Sequence, residues 1–71
     1  MAKRSRTIPK ASAARILNKA GAERVSDSAA GTFADILEEI ATEICEHAVK
    51  IAKHSGRKTV QSGDIKLAAR D

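Results

Sequence analysis

The residues best suited to chemistry in this chain are short basic clusters with small hydroxyls beside them. Arg57, Lys58 and Thr59 are consecutive, and Arg24 stands two residues before Ser26. Phosphate oxygens favour positive charge together with short hydrogen-bond donors, and Arg, Lys and Thr supply both. Arg15 and Lys19 are four apart, which puts them on one face of a helix, another place where phosphate can be held. His54 and Asp64 admit reading as a general acid–base pair, but no nucleophile or second acid stands with them. Cys45 and His47 cannot share a metal, because residues two apart point to different sides of a helix. Cys45 is expected to be a small core residue. No glycine-rich phosphate loop or metal-ligand cluster is visible, so the reading is a binding protein without cofactor, not an enzyme.

Charge placement points the same way. The chain has 71 residues and a net charge of +4. Residues 1–10 carry Lys3, Arg4, Arg6 and Lys10 with no acid. Residues 26–54 hold six acids (Asp27, Asp35, Glu38, Glu39, Glu43, Glu46) against Lys50 and Lys53. Both flanks of that stretch are net basic. Such polarity suits a polyanion met by the flanks. The acids themselves are expected to form a solvated face. No apolar run reaches the roughly 18 residues of a membrane span, and no apolar segment follows the N-terminal basic residues. The expectation is therefore a soluble, intracellular chain.

These residues must be positioned by helices. Residues 1–8 are polar, basic and aperiodic, and are expected to be a disordered tail ahead of a domain over 9–71. Pro9 suits the start of a helix that runs to about Ala20, with Ala13, Ile16, Leu17 and Ala20 on one face. Gly21 stops it. Ser26 is the N-cap of one long helix ending near His54, before Gly56. In that helix Ala30, Phe33, Leu37, Ile40, Ile44, Ala48 and Ile51 recur at helical spacing, with Ala34, Ala41, Cys45 and Ala52 beside them. A last helix begins at Gln61 or Ser62, with Asp64 in its first turn. The long helix spans about 42 Å. A compact globule of this size has a radius of gyration of about 11 Å. The helix outruns its own domain, and a second copy of the chain is the simplest cover.

Two stretches then resemble archaeal histones. Gly21-Ala22-Glu23-Arg24-Val25-Ser26 is similar to the first loop of that family. Ala52-Lys53-His54-Ser55-Gly56-Arg57-Lys58-Thr59-Val60, with Asp64-Ile65-Lys66-Leu67-Ala68, is similar to its second loop and third helix. The resemblance runs from about Ile8 to Arg70. It implies an all-α histone fold, short helix, long helix, short helix, as an intertwined antiparallel homodimer. It also implies nonspecific binding, wrapping and compaction of double-stranded DNA on the chromosome. The DNA-binding residues would be Arg15, Lys19, Arg24, Ser26, Arg57, Lys58 and Thr59, with Arg24 toward the minor groove and Arg57 paired internally to Asp64. Phe33, Leu37, Ile40 and Ile44 would form the dimer core. Ile51, His54, Asp64 and Leu67 would join one dimer to the next, His54 bonding the neighbour's Asp64. A paralogous histone is a further possible partner, and a histone-fold module scaffolding transcription-type partners is the alternative. The sequence departs from the family in its longer basic N-terminus, its plainer third helix, and Gly31.

Overall fold

The computed structural model describes residues 7–70. Among them are three α-helices and no strand: α1 (Lys10–Lys19), α2 (Asp27–His54) and α3 (Ser62–Arg70). The all-α expectation holds, with boundaries within a residue or so of the sequence reading. Two compact units divide the chain, residues 1–39 and 40–71, and α2 runs through both.

In the first unit, Pro9 precedes α1 as its cap residue, in extended conformation. A proline there loses no helical hydrogen bond, because the first N–H groups have no partner in any case. Ser26 caps α2: its Oγ accepts the N–H of Ala29 at 3.1 Å. Lys10 and Asp27 pair at 2.9 Å on the surface. The expected tail falls, over residues 1–6, outside the described residues, so Lys3, Arg4 and Arg6 are not placed. Its last two residues are engaged: Thr7 and Ile8 donate their backbone N–H groups to Glu38 Oε1 at 2.9 and 3.3 Å. Glu38 is thus half-buried and bonded, a correction to the reading of it as part of a solvated face.

The core differs most from expectation. The buried apolar residues are Ala13, Ala30, Ala34, Ala48 and Ala52, alanines throughout. The larger side chains of α2 are only half-buried (Phe33, Leu37, Ile44, Ile51) or exposed (Ile36, Ile40). At 100° per residue, Ala30, Ala34, Ala48 and Ala52 fall within about 40° of arc, and the large residues occupy the adjoining 100° or so. What the sequence presents as one broad stripe is two. Small residues let neighbouring helices approach closely within each unit, and the large ones are left for something outside the chain. On α1, Ile16 and Ala20 are likewise exposed, against expectation. Cys45 is exposed as well, a correction to its placement in the core. It lies around the helix from Ala48 and Ala52, past the edge of the alanine strip.

Candidate nucleic-acid interface

Both loops leave their helices by the same device. After α1, Gly21 adopts φ 121, its N–H donates to Asn18 O at 3.0 Å, and Ala22 N–H donates to Leu17 O at 3.1 Å. After α2, Gly56 adopts φ 76, its N–H donates to Lys53 O at 2.9 Å, and Arg57 N–H donates to Ala52 O at 2.9 Å. This paired bonding around a left-handed residue is the Schellman motif, and glycine adopts that conformation without the Cβ penalty. The motif turns each chain sharply, so the residues just beyond it stand out in solvent.

In the first unit those residues include Arg24, exposed and without an ion-pair or hydrogen-bond partner among the described residues. Ser26 follows, committed to its capping bond. Arg15 and Lys19 are exposed on α1 and are also unpaired among the described residues. In the second unit the loop is stapled from inside. The Arg57 guanidinium forks onto Asp64, Nη1 to Oδ2 at 2.9 Å and Nη2 to Oδ1 at 3.0 Å. Nη1 also donates to the Thr59 carbonyl at 3.1 Å. Gln61 N–H donates to Asp64 Oδ2 at 2.9 Å, so Asp64 reaches back to the cap residue of its own helix, as the acid of a capping box does. Arg57 thereby spends its fork inside the loop, leaving Lys58 and the Thr59 side chain facing solvent.

Asp64 is the buried charged residue of this unit, 5% exposed. Hydrogen bonds from Arg57 and then from the Gln61 N–H hold its carboxyl at about 2, against the opposing effect of desolvation. The same bond raises the Arg57 guanidinium. Three donors already occupy Asp64, so only Oδ1 keeps spare accepting capacity.

The remaining sequence-expected residues lie where α2 ends and on α3. His54 is exposed and Ile51 half-buried, while Leu67 is 56% exposed. His47 and Lys50 border a cleft with Ile51, His54 and Ser55. Sequence reasoning weighed His47 only as a metal ligand; its spacing of seven from His54 was the signal for a shared face. Among the described residues no three His, Cys, Asp or Glu side chains gather as a metal site. No helix there is long and apolar enough to cross a membrane.

Comparison with known proteins gives a consistent result. The family model for histone-like transcription factors (CBF/NF-Y) and archaeal histones matches residues 6–69. The probable archaeal histone 3 of Methanocaldococcus jannaschii is 54% identical over 63 residues, covering 89% of this chain and 94% of that protein. The archaeal histone HAN1 of Thermococcus zilligii is 48% identical over 63 residues, with the same coverage.

Proposed function

Since the chain belongs to the family of archaeal histones and histone-like transcription factors, we propose that it works as an intertwined antiparallel homodimer that binds, wraps and compacts double-stranded DNA. The observation that carries the dimer is the division of α2 into a buried alanine strip and a solvent-facing strip of Phe33, Leu37, Ile40 and Ile44. A core of alanines removes little apolar area from water, and at about 25 cal/mol per Å² the larger residues hold most of the available stabilisation. An antiparallel crossing of two α2 helices covers them. It also sets the Arg24 loop of one copy beside the Lys58–Thr59 loop of the other.

Unpaired Arg24, Lys58, Arg15 and Lys19, with Thr59 and the N-terminal end of α2 at Ser26, then face the phosphate backbone, and Arg57 holds its loop in shape. Such contacts neutralise phosphates without reading base edges, so sequence preference is small and DNA deformability matters more. Dimers join along the DNA through Ile51, His54, Asp64 and Leu67. A paralogous histone can replace one copy wherever its α2 presents the same strip. The working location is the chromosome.

Affinity for random duplexes should fall steeply, by a factor of 10 or more, between about 50 and 200 mM salt, and a flat response would exclude phosphate neutralisation. Arg24→Ala should weaken binding to all duplexes alike. The absence of any mobility shift with duplex DNA, alongside an intact dimer, would favour a protein-scaffolding module instead.

A further inference from the structure

The second half of α2 carries a row of polar residues that the proposed DNA contacts do not use. Glu43, His47, Lys50 and His54 follow one another at spacings of four, three and four, which aligns them along one side of the helix. All four are exposed. Two clefts border the row. One is lined by His47, Lys50, Ile51, His54 and Ser55, the other by Ile40, Glu43, Ile44, His47, Ala68 and Ala69. His47 stands at both.

The charges around His47 are few. On its own helix they are Glu43 one turn before, Lys50 one turn after and His54 two turns after. From α3 it meets Ala68 and Ala69, which carry none. The acid of α3, Asp64, is 5% exposed and held by Arg57 and Gln61. The cleft between the two histidines therefore has cations at its rim, no acid in its lining, and Ile51 in its floor.

We infer that His47 belongs to the joint between dimers, and that this joint opens when His47 and His54 take up protons. The inference rests on the dimer–dimer reading given above. The occupant of the cleft is a second copy. The cleft continues the strip of large apolar residues along α2, and an apolar floor suits a protein face better than a phosphate. A two-fold contact uses the same patch on both sides, so every charge is repeated. Two copies bring together four histidines, a pair of Lys50 and a pair of Glu43. Above the ordinary imidazole range, near pH 6.5, the histidines are neutral and the lysines and glutamates balance. Below it, positive charges accumulate with no further acid to meet them. Each close like-charged pair in a partly covered contact weakens association by a factor on the order of ten. DNA binding moves the other way, since added positive charge strengthens phosphate contact. Acid therefore separates dimers from one another without releasing them from DNA.

The test uses the full chain on long random-sequence duplex. Complexes assembled at about pH 8 and about pH 5.5, on either side of the imidazole range, are fixed with formaldehyde and digested with nuclease under one common condition. The expected result is a ladder of protected lengths at the higher pH and its collapse to the shortest length at the lower. His47→Gln should keep more of the upper steps in acid than the unaltered chain. An identical ladder at both pH values overturns the inference while leaving the dimer–dimer reading standing. So does a ladder that lengthens in acid, which would mean that a His54–Asp64 bond or a phosphate governs the cleft. A His47→Gln ladder that collapses as fully as the original removes His47 from the joint. A single short length at both pH values sinks the dimer–dimer reading, and the inference with it.

Discussion

Asp64 shows how one side chain can hold a loop in a functional shape. Its carboxylate ties Arg57, the loop carbonyl of Thr59 through Arg57, and the cap of α3 into one cluster. The carboxyl titrates at about 2 in the folded chain, below the ordinary value near 3.9 for an unfolded aspartate. The folded state thus favours the charged form. Its contribution to stability is complete above pH 4 or so, and is lost as the pH falls toward 2. Acid titration followed by circular dichroism should show that loss in the original chain. Asp64→Asn should be less stable at neutral pH and lack the loss in that window; an unchanged acid profile would mean that the cluster does not hold the loop. At the start of α2, Ser26→Ala removes the acceptor for Ala29 N–H and should lower stability by about 1 kcal/mol, read from denaturant midpoints. Both positions were legible in the sequence: a serine ahead of a helical pattern, and an acid in the first turn of the next helix. The Arg57 partnership was legible only through resemblance, because residues seven apart across a loop have no fixed spacing rule. Cys45 was misread for a related reason. Periodicity places it near the apolar stripe, but only packing decides where the stripe ends.

At the scale of the element, α2 carries two surfaces that a hydropathy pattern merges into one. Ala30, Ala34, Ala48 and Ala52 are buried within their units, while Ile36 and Ile40 stand 46% and 51% exposed. Those exposures are large for isoleucines at the middle of a helix, and they assign the two strips to different partners. Ile40→Glu should therefore leave the alanine strip intact yet prevent dimerisation. Sedimentation should report a monomer and circular dichroism a large loss of helix. A folded dimer of Ile40→Glu would show that the large strip is not the contact. Enlarging a buried alanine, as in Ala48→Leu, acts inside the unit instead and should cost about 1–3 kcal/mol through overpacking.

For the whole molecule, a chain whose buried apolar residues are all alanine cannot gain enough from its own core, and association supplies the rest. The thermal midpoint should accordingly rise with protein concentration, as for any fold stabilised by its partner, and a concentration-independent midpoint would count against an obligate dimer. Association also explains why the basic loops are useful only in pairs. Arg24 belongs to the unit over residues 1–39 and Lys58 to that over 40–71, and in the proposed dimer a second copy supplies the missing loop at each end.

Helix number, helix ends and the solvent-facing charges followed from the sequence alone. These depend on local physics: glycines that accept a left-handed turn, a serine that caps, charges that stay wet, and a spacing of 3.6. Tertiary structure decided which apolar residues are core and which are contact surface. It also decided that Arg57 and Asp64 serve the loop first, that Glu38 holds the backbone of Thr7 and Ile8, and that His47 borders both clefts on α2. Those outcomes depend on which surfaces are covered and which donors reach a given acceptor, and spacing along one helix carries neither quantity.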